Sequence, residues 1–168
     1  MKDIYQYFVE GEDERRLFEV LKTDMRLIQP GKIQVLNVVQ EKLTDLKLRT
    51  LAENTILVFV FDTDTDNNDI LLKNIDIAMN HPSIKKVLCI TQVKNIEDEL
   101  IRATDITRIE DLLNSTSRAN FKRDFIREKR LKQKLLEHSF DLKRLWSKKP
   151  ESPFDMIKNE AERIKYLK

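Results

Sequence analysis

Residues 56–66 read I-L-V-F-V-F-D-T-D-T-D, six apolar residues followed at once by three aspartates spaced two apart. An unbroken apolar run of this length, rich in Val and Phe, suits a strand buried on both faces, as in the middle of a parallel sheet. It stops at Asp62, Asp64 and Asp66. Open α/β sheets keep their ligand crevice outside the C-terminal ends of their strands, and this strand delivers its charge there.

Outward from that stretch, I-Y-Q-Y-F-V at 4–9 predicts a first strand, closed by Glu10-Gly11 and followed by a helix over 13–23. The acids of that helix's first turn suit its dipole, and Leu17, Val20 and Leu21 give it an apolar stripe. Pro30-Gly31 marks a turn, 33–39 a second strand, and 41–53 a second helix with Leu43, Leu46 and Leu51 inward. A third helix over 68–80, using Leu71, Leu72, Ile75 and Met79, ends at His81-Pro82 before a fourth strand at 84–90. Strand and helix alternating four times predict an α/β fold: a Rossmann-like, four-stranded parallel sheet flanked by helices. In such a sheet Glu10, Asp62 and the end of the fourth strand near Thr91 emerge at one edge.

Past the sheet, 95–103 predicts a helix, and Thr107 with Glu110 a capping box for a short helix through Leu113. A long helical pattern begins near Arg118, with Phe121, Phe125, Leu131 and Leu135 on its apolar face, and a last amphipathic helix is expected over 154–167. The organisation expected is an α/β domain over 1–113 and a helical, basic extension over 114–168 packed on it.

The net charge of +2 conceals an asymmetry. Residues 118–149 hold 12 Lys/Arg against 4 Asp/Glu, whereas residues 1–117 hold 15 against 21, so an acidic front carries a basic back. No window of about 18 apolar residues exists, so no membrane span is expected. The opening M-K-D-I-Y-Q-Y-F-V-E is too polar for a secretory signal, and the lone Cys89 has no disulfide partner; a cytoplasmic location is the expectation.

The segments F-V-E-G-E-D-E at 8–14 and F-V-F-D-T-D at 59–64 together resemble the TOPRIM domain, the metal-binding module of DnaG-type primases, topoisomerases and a set of small nucleases. The apolar strand before E-G, the D-x-D at the end of a later strand, their order and their spacing of about fifty residues all fit. The resemblance covers roughly residues 1–103. Many members place a glycine just after D-x-D, where this chain has Asp66-Asn67-Asn68; asparagine tolerates a left-handed backbone, so a turn can still form. The resemblance implies a Mg²⁺-dependent nuclease, with Mn²⁺ as a substitute ion, in which Asp62 and Asp64, with Asp66, hold the metal. Glu10 would be either a metal ligand or the general acid/base. Among the acids 97–99, Glu97 would complete a second metal site. The chemistry is consistent: Mg²⁺ is usually held by one or two carboxylates, keeps several waters, and neutralises charge developing on phosphoryl oxygens.

Arg118, Lys122, Arg123, Arg127, Lys129, Arg130, Lys132 and Lys134 would supply phosphate contacts on either side of the scissile bond, with Lys94 at the end of the fourth strand as a further one. RNA and DNA both remain open as substrates, as does a homo-oligomer or a larger protein partner. A topoisomerase or a full primase would need further domains. An EF-hand is excluded, because no glycine stands at loop position six and Lys73 occupies the bidentate glutamate position. A dehalogenase-type phosphatase loop fits poorly, since Asp66 takes its Thr/Val position. Two alternatives to a nuclease stay open. One is a non-catalytic nucleic-acid-binding or regulatory module; the other is a receiver-like phosphoacceptor domain with Asp62 as acceptor and Thr91 and Lys94 as partners.

Overall fold

The computed structural model describes residues 2–167. Four strands, β1 (Ile4–Val9), β2 (Gly31–Val35), β3 (Thr55–Asp62) and β4 (Ile84–Gln92), form one all-parallel sheet in the order β2-β1-β3-β4. Around it lie α1 (Glu12–Glu19), α2 (Asp45–Arg49), α3 (Asp69–Met79), α4 (Ile96–Ala103), α5 (Arg118–Arg127) and α6 (Leu131–Glu137). The result is a Rossmann-like α/β architecture. Among the described residues no helix is long and apolar enough to cross a membrane.

Strand alternation divides the interior. Ile56, Val58 and Val60 of β3 enter a core shared with residues of α1, α4, α5 and α6, whereas Leu57, Phe59 and Phe61 enter a second core with Leu71 and Ala78 of α3. Both faces of β3 are therefore covered, as its unbroken apolar run requires. Gly31 opens β2 because a Cβ there would stand 2.4 Å from the carbonyl oxygen of Tyr5 on β1.

The chain moves outward from β1 to β2, then returns past β1 to β3. The strand order thus reverses between β1 and β3, and their C-terminal ends flank the crevice that such a reversal opens.

Several expected elements come out differently. The second strand ends at Val35, not 39, and α2 covers Asp45–Arg49 in place of 41–53, with Leu46 73% exposed. The cause is Asn74 on α3, fully buried, whose Oδ1 accepts from Leu43 N at 2.7 Å while its Nδ2 donates to the carbonyls of Val38 and Glu41 at 2.8 Å. With those peptide groups satisfied by a side chain, Leu36, Val38, Val39 and Leu43 pack into the second core as an irregular loop. Met79, expected inward, is 66% exposed. Thr107 caps nothing, and the short helix it was to start is a single 3-10 turn at Ile109–Leu112.

The long helix expected from Arg118 breaks after Arg127. Arg16 of α1 donates to the carbonyl of Glu128 at 2.6 Å, occupying an acceptor that a continuing helix would have used itself. The expected terminal helix over 154–167 reduces to a 3-10 turn at Ala161–Arg163. Its backbone pairs elsewhere: Glu160 N donates to Cys89 O, Tyr166 N to Leu27 O, and Ile164 O accepts from Gln29 N, each at 2.8 Å. The segment straps the molecule, burying Phe154, Ile157, Ala161 and Ile164.

Asn74→Ala would leave three peptide groups of the 38–43 loop unpaired in the core. It should lower the unfolding free energy by about 2–4 kcal/mol, read as a shifted urea midpoint. A loss below about 0.5 kcal/mol would contradict the role given to Asn74.

Candidate metal centre at the sheet edge

β1 and β3 are neighbours in register, Phe8 beside Phe59, so the residues at their C-terminal ends meet although 52 positions apart. Glu10 Oε2 accepts a hydrogen bond from the backbone N–H of Asp62 at 2.7 Å. On the other side, Asp62 is the register partner of Gln92 on β4, and Gln92 Nε2 donates to Asp62 Oδ1 at 2.7 Å. The same nitrogen lies 3.3 Å from Glu14 Oε1.

Glu10, Asp13, Glu14, Asp62, Asp64 and Glu97 line one cleft of about 460 Å³, together with Arg118 and Lys122. The first turns of α1, α4 and α5 all contribute to its wall. Helix N-termini carry partial positive charge from unpaired N–H groups, which favours the carboxylates there and any phosphate that enters. Lys122 Nζ stands 3.8 Å from Asp13 Oδ1. Gly11 leaves room for these acids, since a Cβ there would stand 3.1 Å from Asp13 Oδ1 and 3.2 Å from Glu14 Oε2, close enough that they would have to shift. That Glu14 oxygen is buried with no hydrogen-bond partner among the described residues.

So many acids in one recess resist ionisation. Burial first, and then the Glu10 carboxylate, push Asp62 up to about 9. Burial, with the negative charge of the neighbouring Asp13 carboxylate, pushes Glu14 up to about 10. Glu10 is raised by burial as well, against the opposing hydrogen bond from Asp62 N–H. A cation would reverse this balance, because an opposite charge within about 4–6 Å favours the ionised form.

The donors fit a hard divalent ion. Among the described residues no group of three or more His, Cys, Asp or Glu side chains converges as a ready-made metal cage. Mg²⁺ does not require one, being held by one or two carboxylates with water in the remaining positions. Glu10, Asp62 and Asp64 all line the cleft.

Of the other expected site residues, Glu97 lines the cleft, half-buried at the start of α4. Asp66 and Lys94 do not; they line a smaller recess of about 160 Å³ beside Glu151, which Asp64 also borders. Thr91, the receiver-type partner, is fully buried and outside the cleft. Of the basic residues, Arg118 and Lys122 reach the cleft. Arg123, Arg127 and Arg130 are exposed farther along α5 and its C-terminal turn, and Lys134 lies on α6, 4.0 Å from Glu137.

No sequence motif marks Asp13, Glu14 or Gln92 as part of the site. The first two read as ordinary first-turn acids, although Glu10 and Glu14 stand four apart across a strand–helix junction. Gln92 carried one signal, its place at the end of the strand beside β3. Glu99 is not free for chemistry: it accepts from the backbone N–H groups of Val93 and Trp146 and from Arg102.

Compared with protein-family models, curated proteins and solved structures, the chain matches none.

In the unfolded chain Asp62 and Glu14 lose their protons at about pH 4, whereas here they keep them to about 9 and about 10. Their contribution to stability is thus fully present in acid and is lost as pH rises from about 4 through about 10. The melting temperature in EDTA should fall between about pH 5 and about pH 8.5, and excess Mg²⁺ should restore more of it at the higher pH. A melting temperature that rises with pH in EDTA would contradict the crowding of these acids.

Proposed function

We propose that the chain is a Mg²⁺-dependent phosphodiesterase acting on nucleic acid, of the TOPRIM kind that its E-G and D-x-D segments resemble. The observation that carries the reading is the contact of Glu10 with Asp62 at the strand-order reversal, inside a cleft that also holds Arg118 and Lys122. Glu10, Asp62 and Asp64 would hold the ion, and Glu97 borders the space where a second could sit. Bound there, Mg²⁺ would supply Lewis-acid stabilisation of charge on the phosphoryl oxygens.

The chain's own groups do the rest. Arg118 and Lys122 draw a phosphate towards the carboxylates, and the three helix N-termini favour the same anion. Hydrolysis adds water at phosphorus and breaks the P–O bond to the leaving oxygen. An ionised carboxylate of the cleft accepts the proton released from the water, and the leaving oxygen gains one from solvent. Glu10 would accept that proton where Asp62 and Asp64 suffice for the ion. The exposed cations Arg123, Arg127, Lys129, Arg130 and Lys132 run on from α5 and would hold phosphates outside the cleft.

A non-catalytic nucleic-acid-binding or regulatory module is the second reading, favoured by the absence of a three-ligand cage among the described residues.

Labelled RNA, single-stranded DNA and duplex DNA should be tested with Mg²⁺ and Mn²⁺. Cleavage of at least one substrate is expected, reduced roughly 10³-fold or more by Asp62→Asn and by Glu10→Gln in folded protein. Metal-independent binding with no cut strand would establish the second reading instead. Binding should also weaken with salt, and Arg127→Ala with Arg130→Ala should flatten that dependence by up to about 0.9 in log–log slope per lost duplex phosphate contact. An unchanged slope would remove these two residues from the path.

A further inference from the structure

We propose that Gln92 is a positioning residue for the carboxylates of the cleft and that Trp146, from the C-terminal part of the chain, fixes its orientation. Cation binding at the sheet edge would then depend on how residues near 146 dock. The inference rests on the cation reading above.

Gln92 is fully buried and uses its whole amide. Its Nε2 donates to Asp62 Oδ1 at 2.7 Å and to Glu14 Oε1 at 3.3 Å, and its Oε1 accepts from the indole Nε1–H of Trp146 at 3.2 Å. A terminal amide is nearly symmetric in shape, so packing alone would not choose between its two flipped states. The indole chooses. Its N–H can only donate, so the amide oxygen must face it and the NH₂ must face the two carboxylates. In the flipped state the NH₂ would meet the indole N–H, and two donors do not make a hydrogen bond.

The consequence reaches the far side of the cleft. Asp62 is held through its side chain by Gln92 and through its backbone N–H by Glu10, so Trp146, Gln92, Asp62 and Glu10 form one hydrogen-bonded line. Trp146 is itself fixed at both ends. Its backbone N–H donates to Glu99 Oε2 at 2.6 Å, and its ring lies 5.0 Å from that of Phe18. Its φ of 56° is in the left-handed region that bulky side chains avoid, a conformation retained only where the surroundings over-determine it. The buried indole N–H needs an acceptor, and the acceptor it has is the amide that also contacts Asp62 and Glu14. Outer-shell partners that orient ligating carboxylates commonly change metal affinity by 10–100-fold when removed.

The test is Mn²⁺ titration calorimetry on the full chain: wild type, Trp146→Phe, Gln92→Leu and the double variant, at one pH and with melting temperatures compared. Gln92→Leu should weaken Mn²⁺ roughly tenfold. Trp146→Phe, which keeps an aromatic ring beside Phe18, should weaken it about fivefold in the Gln92 background and leave it unchanged in the Gln92→Leu background. Trp146 is the only tryptophan, so its emission should shift on Mg²⁺ addition to wild type and not to Gln92→Leu; this readout does not need the Phe variant to fold. Unaltered affinity in Trp146→Phe, equal weakening in both backgrounds, or an emission shift that persists in Gln92→Leu would overturn the relay alone. No Mn²⁺ binding by wild type would remove the cation reading together with it.

Discussion

The structure depends on keeping several carboxylates together at one sheet edge. Parallel pairing of β1 with β3 forces Glu10 and Asp62 into contact, because each stands just at the end of its strand. Asp13 and Glu14 follow in the first turn of α1, nearly buried, with Glu14 only 2% exposed. Negative charge on buried acids this close together is unfavourable unless something opposes it. The opposing groups come from everywhere around the site: the helix N-termini, Lys122, the Asp62 N–H and the Gln92 amide. None of them neutralises the cluster outright, and Asp62 and Glu14 hold their protons instead.

The C-terminal third is joined to this problem as well as to the core. Phe121, Phe125, Leu131, Leu135, Leu145 and Trp146 share one hydrophobic cluster with the strands. The same segment brings Arg118 and Lys122 to the cleft, and Trp146 to Gln92. Packing and electrostatics therefore act through the same elements. Arg123, Arg127, Lys129 and Arg130 are exposed beyond the cleft, on and just after the helix that supplies these two cations.

Much of this was legible in the residues, and the exceptions share a cause. The run at 56–61 located the central strand because burial on both faces leaves no room for polar alternation, and the four-fold alternation located the parallel sheet. Glu10 and Asp62 could be paired because strand ends are set by topology. What stayed hidden was decided by single long-range hydrogen bonds. Asn74 replaced a predicted helix with a loop, Arg16 ended α5, and the strap at 160–166 gave its peptide groups to Cys89, Leu27 and Gln29. Periodicity describes which residues are apolar, not where a peptide N–H finds its partner. Asp66 and Lys94 show the same limit at the site: they lie close to Asp64 in sequence or across the strand ends, yet the loop turns them into a neighbouring recess.

Anomalous diffraction from crystals soaked in Mn²⁺ tests the shared-ion site most directly. A peak within coordinating distance of the Glu10 and Asp62 carboxylates, with Asp64 beside it, is the result expected. Density for the ion only in the Asp66 and Lys94 recess, or at neither place while the crystals hold Mn²⁺ elsewhere, would contradict it.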